Sequence, residues 1–245
     1  MNGERETVTN GHSWNRVMGI FFDSWNEPLV LKESDTAERQ LTTLKELEPQ
    51  LNAEGRTLIE RDIACLEYGI AGEKNIAFEL ANSHLPMVVL HDIYLSDGEQ
   101  NAQIDYLVFT RKLCFVIECK NLYGNITIDS NGSFIRTMYF GTHKVQEGIY
   151  SPITQNERHL ELMKKMKSEA KSNALLKWAS QKFFAGIYRS VVVLANPKTV
   201  LNDRYAKKQV RDQVIRADQL VNYIREELAA SKEDAGTKED TIKWA

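Results

Sequence analysis

Three ionisable side chains inside an apolar stretch carry the chemical interest of this sequence. Residues 103 to 120 read Gln-Ile-Asp-Tyr-Leu-Val-Phe-Thr-Arg-Lys-Leu-Cys-Phe-Val-Ile-Glu-Cys-Lys, two apolar strands joined by a tight turn at Arg111-Lys112. If Thr110 pairs with Leu113, counting back along both strands sets Asp105 opposite Glu118, on one face, with side-chain bases about 5 Å apart. Glu118 and Lys120 are two residues apart and share that face. Two carboxylates side by side in a sheet repel unless something positive lies between them. A divalent metal ion and a lysine would serve, and that is the arrangement a metal-dependent nuclease needs. Phosphodiester hydrolysis requires a hard cation on the phosphate, an activated water and a stabilised leaving oxygen. Mg2+ takes one or two carboxylates together with waters and substrate phosphate. Asp105 and Glu118 supply the carboxylates, and the backbone carbonyl of Cys119 is a candidate further ligand. Lys120 would orient the attacking water and offset developing negative charge; deprotonating that water would need a lowered lysine pKa. The bland alternative is a surface salt bridge between Glu118 and Lys120. Against it stands the apolar character of both strands, with Ile104, Tyr106 to Phe109, Leu113 and Phe115 to Ile117 around the three charges.

The elements that must position these residues follow from periodicity. Pro28 to Leu31 and Ile20 to Phe22 read as docked extended segments. Asp35-Thr36-Ala37-Glu38 has the capping-box pattern, and a helix to about Leu51 should follow. A second helix is predicted from about Ala53 to Glu67, broken at Gly69-Ile70-Ala71-Gly72, and a third from Gly72 to about Asn82. Met87 to Leu95 is a strand, followed by a turn at Ser96-Asp97-Gly98 and then by the central hairpin. Asn125 to Arg136 alternates around Asn131-Gly132, a hairpin signal. Residues 137 to 150 read as a loop. Helices are predicted from Pro152 to about Lys167 and from about Asn173 to Phe183. Ser190 to Ala195 is a buried strand and Gln213 to Arg216 a short one. Asp218 should cap a helix to about Ala230, and Ser231 to Ala245 reads as a charged, loose tail. This order predicts an α/β fold with a central mixed sheet flanked by helices.

The chain of 245 residues is long enough for one substantial core. It has no apolar run of spanning length and no signal-like start. Cys65, Cys114 and Cys119 lack metal-ligand spacing and read as reduced thiols of a cytoplasmic protein. The net charge of −3 argues against a nucleic-acid binder, but its distribution is uneven. Arg158 to Arg216 holds fourteen Lys and Arg against four Asp and Glu. That is either a footprint for polyanions or the solvated basic face of a helix.

Gly69-x-x-Gly72-Glu73 at a helix start, Gln103-Ile104-Asp105, Val116-Ile117-Glu118-Cys119-Lys120-Asn121-x-x-Gly124, and Ser151-Pro152-Ile153-Thr154-Gln155 with Arg158-His159 resemble the NERD, or nuclease-related domain, family. That family is similar to the PD-(D/E)XK, or restriction-endonuclease-like, nucleases. The resemblance covers about residues 69 to 195. It implies a restriction-endonuclease-like core and a Mg2+-dependent DNA nuclease, with Mn2+ as an alternative ion. It implies that Asp105 and Glu118 bind metal and that Lys120 is the catalytic lysine. Glu73 matches the acid of the first core helix; Glu79, its rival, falls on the opposite side of that helix. Gln155 matches the polar residue on the helix after the sheet. Arg158, His159, Lys164 and Lys165 then read as nucleic-acid contacts, and Asn121 as a structural residue at the strand end. Similar bacterial proteins often carry a further helical domain after this core.

The expected organisation is an N-terminal extension with two helices over 1–67, a nuclease-like domain over 68–230, and a tail over 231–245 that could lead to a further domain. The expected partner is DNA, cut without sequence preference, with no membrane. Trp14, Phe21, Phe22 and Trp25 make the extension a candidate docking arm or dimer contact. The competing reading is a nucleic-acid-binding or protein-interaction module that keeps a nuclease fold without turnover, in a repair or defence assembly.

Overall fold

A computed structural model describes residues 25–245. The expected segment Ile20 to Phe22, and Trp14, lie outside them. Among the described residues, ten strands and seven α-helices follow in the order β1 (Pro28–Lys32), α1 (Thr36–Leu47), α2 (Ala53–Ala81), β2 (Met87–Ser96), β3 (Asn101–Thr110), β4 (Cys114–Lys120), β5 (Asn125–Ile128), β6 (Phe134–Phe140), β7 (His143–Ile149), α3 (Pro152–Glu169), α4 (Ala174–Ile187), β8 (Tyr188–Leu194), β9 (Leu201–Asn202), α5 (Lys208–Arg211), β10 (Val214–Arg216), α6 (Leu220–Ala230) and α7 (Lys238–Trp244). None of the described helices is long and apolar enough to cross a membrane.

The central sheet has six strands in the order β1-β2-β3-β4-β8-β10. The β2-β3 and β3-β4 pairs are antiparallel, and β1-β2, β4-β8 and β8-β10 are parallel. The sheet is therefore mixed, as the sequence predicts, and helices cover both faces. On one face Phe115 and Ile117 pack with Ile76 and Leu80 of α2 and with Leu220 and Ile224 of α6. On the other, Cys114, Val116, Leu107 and Phe109 pack with Met163 of α3, Phe184 of α4 and Trp244 of α7. Burial on both faces explains why β3 and β4 read as nearly continuous apolar runs. A second sheet, β7-β6-β5-β9, joins through Ile126, Ile128 and Phe134, which meet Ile153, Val192 and Leu194.

Several expectations need correction. The glycines at 69 and 72 do not break a helix: α2 runs unbroken for 29 residues. Two glycines cost about 1 kcal/mol each in a helix interior, less than the helix gains by burying Ile63, Ile70, Ile76 and Leu80. Gly72 is there for clearance, since a Cβ at that position would lie 2.5 Å from Cβ of Asn121 at the end of β4. Residues 137 to 150 are not a loop but the rest of β6 and β7, paired from Phe134↔Ile149 to Phe140↔His143. β7 is mostly exposed, so it lacks the apolar alternation that marks a strand. The tail is not loose. Thr237 and Asp240 close a capping box at the start of α7, and Trp244 donates through Nε1 to the Tyr188 hydroxyl at 3.0 Å. Asp35 heads α1 without a side-chain cap, because its carboxylate pairs with Arg39 at 2.9 Å. The last expected helix starts as a 3-10 turn at Ala217, where Gln219 rather than Asp218 accepts the Arg216 amide.

Candidate active site

The β3-β4 hairpin forms with the register counted from its turn. Thr110 donates its amide to the Leu113 carbonyl at 2.8 Å, and Tyr106 pairs with Ile117. The next position in that register opposes Asp105 and Glu118. There the two strands part, while β4 continues to Lys120 alongside β8. The amide of Cys119 thus loses a backbone partner on β3, and Oδ2 of Asp105 accepts it at 2.7 Å. A fork in the sheet, closed by a side chain, fixes the first carboxylate.

Alternation carries Glu118 and Lys120 to the face of Cys114 and Val116, against α3. Glu118 is 2% exposed, and its Oε1 accepts from Nζ of Lys120 at 2.6 Å. Nζ of Lys120 also donates to Oε1 of Gln155 at 3.1 Å. With its oxygen so used, Gln155 keeps its amide nitrogen as a donor. One turn along α3, Nδ1 of His159 stands 3.8 Å from Oε2 of Glu118. The α3 stripe that docks is Pro152, Ile153, Asn156, His159, Leu162 and Met163. Within it, Asn156 donates through Nδ2 to the Val116 carbonyl at 2.8 Å and to Oγ of Ser190 at 3.0 Å. This amide clamps α3 across β4 and β8 and so sets the height of Gln155. The sequence reading missed it; the signal was a polar residue at a core position of the helical stripe.

Glu73 comes from the other face of the sheet. Its Oε2 lies 2.9 Å from Nε2 of His91, and the Tyr106 hydroxyl donates to its backbone carbonyl at 2.9 Å. His91 stacks on Tyr106 with ring centroids 4.6 Å apart. His91 was also missed, although it shares a face with Val89 along β2. Asn121 donates through Nδ2 to the Tyr68 carbonyl at 2.5 Å, tying the end of β4 to α2.

Electrostatics mark the same spot. Burial, then the charge of Glu118, push the Asp105 carboxyl up to about 7, with Glu73 adding to the rise and the Cys119 amide and Lys120 opposing it. Burial also raises Glu118, against the pull of Lys120. Burial and the Lys120 charge hold the His159 imidazole below its ordinary value. Burial keeps the Cys119 thiol well above its usual range. Asp92 on β2 lies between the pairs His91↔Tyr106 and Ile93↔Ile104, is itself unpaired in the ladder and has φ +55°. Its carboxylate turns to Ser34 and Gln103, whose donors lie at 2.5 and 2.6 Å. A left-handed conformation at a non-glycine costs about 1–2 kcal/mol.

The other proposed contacts spread along α3. Arg158 is exposed and lies over the Tyr150 ring, 5.6 Å from its centroid. Lys164 is exposed as well. Lys165 is ten residues, about 15 Å along the helix, from Gln155. Its Nζ pairs with Asp97 at 2.6 Å and Glu99 at 3.6 Å. His159 is buried against Glu118 rather than presented to a nucleic acid.

A metal fits this donor set. Oε2 of Glu118 is buried and accepts no hydrogen bond, a costly state for a carboxylate oxygen that a cation would relieve. Among the described residues no three His, Cys, Asp or Glu side chains already surround a common point. Two carboxylates suit a divalent ion that keeps some of its waters rather than a closed structural site.

A mixed sheet forked at its centre, with two acids and a lysine at the fork, defines a nuclease-like α/β protein and is consistent with the PD-(D/E)XK superfamily. The chain belongs to the nuclease-related domain (NERD) family, which matches residues 68–195, more than half of its length. No curated protein and no solved structure matches the chain.

Proposed function

We propose that this protein is a metal-dependent nuclease that hydrolyses DNA phosphodiester bonds. The observation that supports this most is the convergence of Asp105, Glu118, Lys120 and Gln155 at the fork between β3 and β4. Each acid has one oxygen engaged, Oδ2 by the Cys119 amide and Oε1 by Lys120. Oδ1 of Asp105 and Oε2 of Glu118 are the oxygens that would hold Mg2+ or Mn2+. The carbonyl of Cys119, on the same strand edge as its amide, is a further candidate. When bound, the ion supplies charge neutralisation at the phosphate and a more acidic water. Lys120 would orient an attacking water and offset charge as the bond breaks, and Gln155 holds the ammonium in place. Exposed Arg158 and Lys164 attract the DNA backbone without reading sequence.

The test is incubation with linear, circular and single-stranded DNA in Mg2+, Mn2+ or chelator, beside Glu118→Ala. Cleavage that needs the ion and Glu118 supports the proposal; cleavage by the variant refutes it. The second reading, a DNA-binding module without turnover, draws on the direct contact of Lys120 with Glu118, which already supplies a positive charge. Salt-dependent DNA binding with no cleavage under any divalent ion would favour it.

A further inference from the structure

The metal-dependent reading of this site leaves His159 without a role, and the inference that follows rests on that reading. Lys120 occupies one oxygen of Glu118 and the Cys119 amide one oxygen of Asp105. The remaining oxygen of Glu118, Oε2, is buried with no hydrogen-bond partner, and so is Nδ1 of His159. The side chains are 2% and 9% exposed, and the two atoms face each other at 3.8 Å. That separation is too long for a hydrogen bond. It suits two donors on one ion, which at about 2.1 Å each can stand up to about 4.2 Å apart. Leaving both unsatisfied in the interior is unfavourable on each side of the gap.

The geometry points to His159 as a third protein ligand, through Nδ1, of the ion held by Asp105 and Glu118, and therefore to a site that prefers first-row transition-metal ions to Mg2+. Mg2+ keeps to oxygen ligands and holds its waters, whereas an imidazole nitrogen strengthens binding of transition-metal ions. The three donors do not yet enclose a common point; the ion would draw Glu118 and His159 together. The buried stripe of α3, fixed by Asn156, brings the imidazole to this position.

Mn2+ and Mg2+ serve as probes on the metal-free full chain, at one pH and without DNA. Calorimetry reads affinity, and pulsed electron paramagnetic resonance on bound Mn2+ reads coupling to an imidazole 14N. Mn2+ should bind at least tenfold more tightly than Mg2+ and show that coupling. His159→Gln should lose the coupling and on the order of tenfold in Mn2+ affinity, with Mg2+ affinity changed less than about twofold. Bound Mn2+ without the coupling in the wild type overturns the inference, whether or not the variant folds. An equal loss for both ions in the variant also overturns it, since that marks a packing role. If neither ion binds the wild type, or Asp105→Ala binds them as well as the wild type does, the metal-dependent reading itself fails. Ion binding that needs Asp105 but not His159 rejects only the inference.

Discussion

Asp105→Asn should make the metal-free protein more stable while abolishing its response to metal. Burial first, and then the neighbouring charge of Glu118, lifts the carboxyl from 3.8 to about 7. Each pKa unit corresponds to about 1.4 kcal/mol, so keeping Asp105 ionised without a cation costs at most about 4 kcal/mol. The folded state holds this proton more tightly than the unfolded chain does. Stability contributed by the protonated form is therefore full below pH 4 and lost as pH rises towards 7. Asn is uncharged at every pH and its Oδ1 can still accept the Cys119 amide. It forfeits the attraction to Lys120, so the net gain at pH 8 should be about 1–3 kcal/mol. For a chain of this size that is a rise of about 2–12 °C in Tm. The assay is urea or thermal unfolding in chelator at pH 8 and pH 5, repeated with Mg2+ or Mn2+. The advantage should shrink at pH 5, where the wild-type carboxyl is already protonated. Added metal should stabilise the wild type by mass action and leave the variant nearly unchanged. A variant less stable at pH 8, an advantage that persists at pH 5, or a metal response equal to the wild type's would refute the reasoning.

Lys120→Met should reduce metal-dependent cleavage by about 10²–10⁴-fold, measured as single-turnover rates, with circular dichroism unchanged. Asn156→Ala breaks the clamp to Val116 and Ser190 and should cost about 2–4 kcal/mol in urea unfolding. Gly72→Ala would favour the helix by about 1 kcal/mol, yet its Cβ collides with Asn121. The net outcome should be a loss of about 1–3 kcal/mol, with reduced cleavage because β4 shifts beside Lys120. Trp244→Ala uncovers Phe109 and Tyr188 and should lower stability by about 2–4 kcal/mol, read in the same unfolding assay.

Local signals in the sequence were strong where the chain is buried on two sides and turns tightly. The two-residue turn at Arg111-Lys112 fixed a register, and the register alone set Asp105 against Glu118. What stayed hidden depends on contacts between distant segments. The unbroken course of α2 is decided by burial of Ile63, Ile70, Ile76 and Leu80, and Gly72 is needed because Asn121 and Ala195 crowd it; glycine alone reads as a stop. The strand β7 exists because β6 offers it an edge, since its own residues are mostly polar and exposed. The final helix docks through Ile242 and through Trp244, which meets rings from β3 and β8. His91 and Asn156 sit on apolar faces, where a polar residue has no periodic signature. Their partners, Glu73 and the Val116 carbonyl, lie 18 and 40 residues away.

The unbroken rod of α2 has a practical consequence. The family match begins at residue 68, in the middle of that rod. A polypeptide cut there would start with bare amides in its first turn, only five residues before Glu73. It would also lack β1, exposing the edge of β2 that carries His91. The smallest piece able to hold its acids in place is thus longer than the stretch by which the family is recognised, and should begin no later than Pro28, keeping both β1 and Asn52, whose side chain caps the rod.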